Sequence, residues 1–113
     1  MTYKSTVREG LFILHVEGNL IGEEVGSGIL DQANDAINAG HTACVIDIEN
    51  VKYINSSGIG VLITLLTKFR NNDGELIIVN PSEHVKKLLI ITKLTAIFKI
   101  QDSVEKAIEE LKS

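Results

Sequence analysis

Polar and apolar residues alternate along residues 3–8, and a mostly apolar stretch follows at residues 11–16. Residues 9–10, a glutamate and a glycine, separate the two segments as a tight turn between antiparallel strands would. After residue 19, apolar residues recur at helical spacing until Gly40. They are Val25, Ile29, Ala33, Ala36 and Ile37. The pattern predicts an N-terminal hairpin followed by an amphipathic surface helix.

Two nearly unbroken apolar runs occupy residues 43–48 and 76–79, and both are rich in β-branched residues. Such runs are typical of strands that are covered on both faces in the middle of a sheet. Between them lies a helical repeat that ends at the turn residues 71–74. Its apolar positions are Val61, Leu62, Leu65, Leu66 and Phe69. We therefore expect two neighbouring parallel strands joined by a right-handed helical crossover.

A capping signal follows the second apolar run. Asn80 is predicted as the N-cap of a third helix, with Pro81 at its first position and Glu83 at position N3. The residues that this helix is expected to turn inward are Val85, Leu88, Leu89 and Thr92.

The chain ends with a short apolar stretch and a last amphipathic segment. Residues 98–100 predict a brief edge strand, and Asp102 with Glu105 forms a second capping pair ahead of a final helix. The elements together predict one α/β domain over residues 1–113, with a mixed sheet of about five strands and about four α-helices. An antiparallel hairpin opens this sheet, and parallel strands form its centre.

The composition is that of a small globular domain. Of the 113 residues, 44% are hydrophobic, which is enough to fill a core without metals or disulfides. The net charge of −4, with 11 lysines and arginines in total, argues against direct nucleic-acid binding. No stretch approaches the roughly 18 apolar residues of a membrane span, so we expect a cytoplasmic protein.

Two smaller features have ordinary structural interpretations. Cys44 lies inside an apolar run and is predicted to be a buried small hydrophobic residue. The one locally basic stretch is expected to solvate an outer surface. It comprises Lys86, Lys87, Lys93 and Lys99.

The run Asn55-Ser56-Ser57-Gly58-Ile59-Gly60 lies where a loop after the first central strand is expected to meet the following helix. Each glycine in this first turn costs up to about 1 kcal/mol of helix stability relative to alanine. Their absence of side chains would let a backbone or a phosphate approach the positive end of the helix. The alternative is a purely structural role, in which one of the three polar residues caps the helix and the glycines only form the turn. Both interpretations remain open from the residues alone.

Residues 53–62 resemble the hallmark segment of the STAS-domain anti-sigma factor antagonists, Asp-Ser-Ser-Gly-Leu/Ile-Gly followed by an apolar helix. The order of elements around it is similar along essentially the whole chain. The resemblance implies that Ser57 is phosphorylated by a partner anti-sigma factor that is itself a serine kinase. The residues implied to contact the partner around it are Ser56, Gly58, Ile59 and Gly60.

The same resemblance implies how such a protein works. The unphosphorylated antagonist binds the anti-sigma kinase and liberates the sigma factor, whereas the phosphorylated form cannot bind. A metal-dependent PPM-type serine phosphatase then restores the active form. This chain would be a substrate and a ligand in that cycle, with no cofactor of its own.

The sequence departs from the family pattern in two places, and both belong to the candidate partner-binding set. Asn55 replaces the acidic residue that usually precedes the serines, which removes a negative charge beside the phosphoacceptor. The Gly-Glu-Leu-Asp-like stretch contains Asn19, and Ile21 stands where the aspartate is expected. The resemblance therefore implies contacts from Asn19 and Ile21 whose chemistry differs from that of the family.

An enzymatic role has little support in the sequence. Neither a nucleophile elbow around Ser57 nor a Gly-Lys-Ser/Thr phosphate loop is present. The histidines, His15, His41 and His84, have no metal-like spacing. Asp47 and Glu49 end a parallel strand, where open α/β sheets bind ligands, or they belong to a solvated strand end.

A different binding role on the same fold is the stronger alternative. STAS-type modules also serve as regulatory subunits of transport or stress-signalling complexes that phosphorylation does not control, and fold alone does not separate these roles. Whether the domain forms a weak homodimer through its edge strand is left open.

Overall fold

A computed structural model describes residues 2–20 and 23–112. The strands are β1 (Thr2–Arg8), β2 (Leu11–Leu20), β3 (Ala43–Ile54), β4 (Glu75–Val79) and β5 (Lys99–Gln101). The helices are α1 (Glu23–Asn38), α2 (Ser56–Asn71), α3 (Glu83–Ile91) and α4 (Val104–Lys112), with a 3₁₀ turn at Leu94–Ala96. The strands form one sheet in the order β1-β2-β3-β4-β5, in which only β1 and β2 are antiparallel. The predicted α/β fold with a mixed sheet is confirmed.

The N-terminal hairpin turns at Glu9 and Gly10, which both have positive φ angles of 55° and 82°. Two central residues of this kind match the twist of the flanking strands. Ion pairs then attach the hairpin to α4: Arg8 Nη2 lies 2.8 Å from Glu105 Oε2, and Lys112 Nζ lies 2.8 Å from Glu9 Oε1. The last helix is thereby held against the start of the sheet.

The central strands β3 and β4 pair in parallel, as predicted, from Ala43–Glu75 to Asp47–Val79. The predicted loop after residue 48 is wrong, because β3 continues to Ile54 and β2 continues beside it to Leu20. In this extension Val51 and Ile54 face the core, while the polar residues between them are exposed. The buried residues of the extension recur every third position, beside register shifts in the ladder to β2, so the sequence lacks the two-residue period that would predict a strand.

The sheet separates two apolar cores. The larger contains the inward faces of α1, α2 and α3, and the smaller lies under α4 with Ala107 and Ile108. The predicted inward positions Ile29, Ala33 and Ala36 are buried, whereas the side chain of Val25 lies outside the described part. Cys44 is fully buried, and this burial raises the pKa of its thiol, which is the behaviour of a structural residue.

The start of α3 differs from the prediction. Asn80 has a φ of 57° and its N–H donates to the Gln101 carbonyl at 3.2 Å, so it ends β4 instead of capping a helix. Ser82 is the N-cap, since its Oγ accepts from the Val85 N–H at 3.3 Å, and Pro81 and Glu83 each lie two positions earlier in the helix frame than predicted. Thr92 is exposed at the C-cap and does not turn inward.

Smaller corrections apply at the C-terminal end. The Ser103 hydroxyl accepts from the Lys106 N–H at 3.2 Å and takes the capping role predicted for Asp102. Asp102 instead forms an ion pair with Lys106 at 3.5 Å. The edge strand begins at Lys99, one residue later than predicted, and Phe98 is buried just before it.

Gly74 provides a sharp test of the turn between α2 and β4. A Cβ at this position would overlap the Thr42 carbonyl group and lie 2.9 Å from the Phe69 carbonyl oxygen. We expect Gly74→Ala to lower the free energy of unfolding by about 2–3 kcal/mol, because backbone atoms must shift to admit the methyl group. Urea denaturation followed by circular dichroism measures this, with Gly60→Ala as a control whose added Cβ meets nothing within 4 Å. Equal unfolding midpoints for the two variants would contradict the close approach of Gly74 to the carbonyl groups of Thr42 and Phe69.

Candidate functional site

The N-terminus of α2 follows β3 without a loop. Asn55 has an extended backbone, and its Oδ1 accepts from the Gly58 N–H at 2.9 Å, while its carbonyl accepts from the Ile59 N–H at 2.9 Å. Asn55 is therefore the N-cap, which places Ser56 at N1 and Ser57 at N2. Among the three capping candidates, only Asn55 has this role.

Ser57 is consequently available for chemistry. Its side chain is exposed, and its hydroxyl forms no hydrogen bond within the part of the chain that the structure describes. The N–H groups of Ser56 and Ser57 likewise meet no acceptor there. An exposed hydroxyl thus lies beside free backbone donors at the start of a helix of 16 residues.

The charge distribution along α2 strengthens this end as an anion site. The described first turn contains no acidic residue, and Lys68 and Arg70 occupy the last turn. No carboxylate within the first turn therefore offsets the positive end of the helix dipole next to Ser57. A phosphate on that hydroxyl would lie where the dipole and the free N–H groups both favour negative charge.

The two glycines of the segment have different surroundings. Gly58 is buried and shares a helix face with the core residues Leu62 and Leu65, whereas Gly60 is exposed with open space around it. Gly58 therefore faces the interior of the free chain, and its contact with a partner remains a prediction. Ile59 is half-buried against the larger core.

Another candidate of the partner-binding set, Asn19, lies near the end of β2. The backbone of Asn19 pairs with Tyr53, two residues before the cap, so the end of β2 accompanies the chain into the site. Neither the Asn19 side chain nor any part of Ile21 belongs to the described residues.

Sequence reasoning assigned no role to an aromatic contact beside the site. Tyr53 is 52% exposed and stacks on the ring of His84 in the first turn of α3, with ring centroids 5.5 Å apart and an interplanar angle of 15°. The only signal in the sequence was an aromatic residue in the predicted loop before the serines. Its partner is far away in the sequence and depends on where α3 packs.

The alternative site at Asp47 is built differently from the prediction. Asp47 lies within β3, and its carboxylate is 3.0 Å from His15 Nδ1, 3.0 Å from the Glu49 N–H nitrogen and 3.4 Å from Asn80 Nδ2. Three neighbours thus share its two oxygens, and the Glu49 side chain is exposed. Elsewhere His41 Nδ1 lies 3.1 Å from the Gly10 carbonyl oxygen. Within residues 2–20 and 23–112, no three potential metal ligands come together.

The domain family fits this geometry along nearly the whole chain. The profile of the STAS domain matches residues 2–107. This chain belongs to the STAS domain family. None of the helices in the described ranges is both long and apolar enough to cross a bilayer.

Relatives of this STAS protein have a regulatory role. A Thermotoga neapolitana protein described as an anti-sigma factor antagonist is 31% identical over 78 residues, which are 69% of this chain and 69% of that protein. The anti-sigma-B factor antagonist of Staphylococcus aureus is 32% identical over 60 residues, or 53% of this chain and 56% of that protein. The predicted membership in the STAS-domain anti-sigma factor antagonists is confirmed, and these relatives are regulators, not enzymes.

Solved structures share the fold of this STAS protein. The crystal structure of a Thermotoga maritima protein described as an anti-sigma factor antagonist has a TM-score of 0.85 at 25% identity, and the match covers 98% of this chain and 95% of that one. The phosphorylated form of the Bacillus cell fate determinant SpoIIAA has a TM-score of 0.74 at 20% identity, with 96% of this chain and 98% of that one covered.

Substitution of the cap tests the site's geometry. We expect Asn55→Ala to lower the free energy of unfolding by about 1 kcal/mol, because the Gly58 N–H loses its acceptor. Asn55→Asp keeps the acceptor and adds charge at the helix N-terminus, so it is expected to be as stable as the original or more stable by about 0.3–1 kcal/mol. Thermal and urea unfolding of the three proteins measure both effects, and an alanine variant as stable as the aspartate variant would rule out capping by residue 55.

Proposed function

We propose that this anti-sigma factor antagonist binds an anti-sigma factor with serine kinase activity and thereby releases a sigma factor. Phosphorylation of Ser57 by the same kinase ends the interaction. The observation that carries the proposal is the exposed, uncommitted Ser57 hydroxyl at position N2 of α2, where Asn55 already supplies the cap. The phosphorylated form of SpoIIAA, a protein with the same fold, gives further support.

The phosphate is expected to weaken binding to the partner without lowering the stability of the fold. A phosphoserine at Ser57 adds about −1.5 to −2 charges at a helix end whose dipole favours them. The domain therefore keeps its stability when it is modified. In a partner interface that covers this helix end, the phosphate adds steric bulk and repels acidic groups of the partner. If this costs about 2.7 kcal/mol of binding free energy, the affinity falls roughly a hundredfold.

The partners follow from this cycle. The anti-sigma kinase is both the binding partner and the modifying enzyme, and a PPM-type serine phosphatase returns the chain to its binding form. Such a cycle operates in the cytoplasm, where sigma factors meet RNA polymerase. The proposed contact surface comprises the exposed residues Asn55, Ser56, Ser57 and Gly60, with Asn19 near the neighbouring end of β2, and Ile21 is proposed to contribute as well.

Phosphorylation of a single serine is the direct test. We expect a serine kinase of the same genome to label wild-type protein at Ser57, because Ser57 immediately precedes the first glycine, the position that the resemblance assigns to the phosphoacceptor. Mass spectrometry should show the label lost in Ser57→Ala and retained in Ser56→Ala, the matched control. Binding of Ser57→Asp to the kinase should weaken at least tenfold in titration calorimetry.

Two results would contradict the proposal. One is a wild-type chain that no serine kinase of its own genome binds or labels. The other is a stable complex with a transport or stress-signalling protein in which Ser57→Asp changes nothing, which would favour a regulatory subunit without phosphorylation control.

Gly60 separates affinity from stability. An added Cβ meets nothing within 4 Å in the free chain, and alanine is the better helix former, so Gly60→Ala should raise the free energy of unfolding by about 0.5–1 kcal/mol. The same methyl group stands where the partner approaches, and we expect kinase binding to weaken about tenfold. Calorimetry and urea unfolding on one preparation measure both quantities. Unchanged affinity in the more stable variant would show that the glycine is not kept for access.

A further inference from the structure

The two most exposed large aliphatic side chains of the described residues lie on the outer side of α3. Ile91 is 76% exposed and Ile90 is 58% exposed, although the same helix buries Val85 and Leu89 fully in the larger core. Two adjacent exposed isoleucines keep apolar surface in contact with water, which is unfavourable in the free domain and is relieved when a partner covers them. Nothing in the described chain packs over this face.

Unpaired positive charge surrounds these isoleucines. Lys86, Lys87 and Lys93 are exposed and form no ion pair with any described residue. The lysines of the C-terminal part behave differently, since Lys99 and Lys112 both lie within 4 Å of carboxylates. A basic, apolar surface therefore stands out on a chain whose net charge is −4.

This surface is continuous with the site at Ser57. His84 begins the exposed face of α3 and stacks on Tyr53, which stands two residues before the cap of α2. His84, Lys87 and Ile91 follow at helical spacing on one side of the helix, over a length of about 10 Å. The four residues Tyr53, His84, Lys87 and Ile91 are called the docking strip below.

The site at Ser57 is too small to hold a protein partner alone. Its exposed residues are an asparagine, two serines and a glycine, whereas a stable interface buries about 800 Å² on each side and depends on a few large anchors. Tyrosine is the typical anchor, and stacking on His84 already fixes the ring of Tyr53. A partner that reaches Ser57 must extend over neighbouring surface to acquire such anchors.

We propose that the docking strip is the anchoring half of the interface with the anti-sigma kinase, which presents an apolar patch rimmed by acidic side chains. This inference rests on the function proposed above and adds its binding determinants. Tyr53 and Ile91 supply buried contact, and Lys87 with the flanking Lys86 and Lys93 supplies charge attraction that raises the association rate.

A protein partner fits the strip better than an anionic membrane does. Membrane-surface helices present a broad apolar face to the lipid, but α3 has only nine residues and turns its own apolar face into the core. The remaining exposed isoleucines, Ile90 and Ile91, make a narrow patch of the size that a protein pocket accepts.

Affinity measurements on the full chain with the purified kinase test the strip. We expect Tyr53→Ala and Ile91→Ala each to raise the dissociation constant at least tenfold in the absence of ATP. Val7→Ala is the matched control, because Val7 is 50% exposed and pairs through Phe12 with Cys44, at the opposite end of β3 from Tyr53. Its dissociation constant should stay within twofold of wild type, and circular dichroism verifies that all variants are folded.

The charged part of the strip has a separate readout. A triple variant with Lys86, Lys87 and Lys93 replaced by glutamine should slow association about tenfold in 50 mM salt and flatten its dependence on ionic strength. Surface plasmon resonance at several salt concentrations measures both. An unchanged salt dependence would exclude an acidic partner surface opposite α3.

The remaining outcomes separate this inference from the proposed function. If wild type binds the kinase and Ser57→Asp does not, while Tyr53→Ala and Ile91→Ala bind normally, the docking strip is wrong and the phosphorylation switch stands. If wild type fails to bind any kinase, both are wrong. If the wild-type chain sediments with phosphatidylglycerol vesicles and Ile91→Ala does not, the strip binds a membrane instead. If the wild-type chain forms a dimer in analytical ultracentrifugation and Ile91→Ala does not, the strip binds a second copy of the chain.

Discussion

The parallel pairing of β2 with the far end of β3 is the interaction on which the candidate site depends. β4 accompanies β3 only as far as Asp47, and beyond that point the ladder to β2 and the buried side chains of Val51 and Ile54 keep β3 extended. An extended backbone is what an N-cap residue requires, and Asn55 follows directly. Because the cap is made by residue 55, the hydroxyl of Ser57 is left exposed.

The sequence predicts those elements whose burial is uniform. The runs at residues 43–48 and 76–79 are almost entirely apolar, and α2 repeats its apolar residues over about three turns, so these elements can be predicted without knowledge of their neighbours. The extension of β3 is missed because its buried residues recur every third position, where the pairing with β2 is irregular, and not every second position. Asn80 fails as a predicted cap for a related reason: its N–H is taken by Gln101 of β5, a contact that exists only after the sheet has formed.

Within the site, the sequence identifies the segment but not which of its residues caps the helix and which remain exposed. Asn55, Ser56 and Ser57 are equivalent as capping candidates until the backbone angles assign one of them. Gly58 and Gly60 look alike in the sequence, but they lie on different faces of α2. Gly58 faces the core, whereas Gly60 faces open space outside. The stacking of Tyr53 on His84 depends on the position of α3 and has no local signature.

The neutral cap connects the stability of the domain to its proposed regulation. An aspartate at position 55 would accept the same hydrogen bond and would also offset part of the helix's positive end, whereas asparagine leaves that potential for a group on Ser57. Since the first turn of α2 has no acidic residue, the phosphate would be the only negative charge in that turn. The helix would favour a phosphorylated Ser57 slightly, so under the proposed regulation the loss of affinity would arise in the complex with the partner. With the cap at Asn55 and the phosphate on Ser57, the proposed modification would change binding without unfolding the domain.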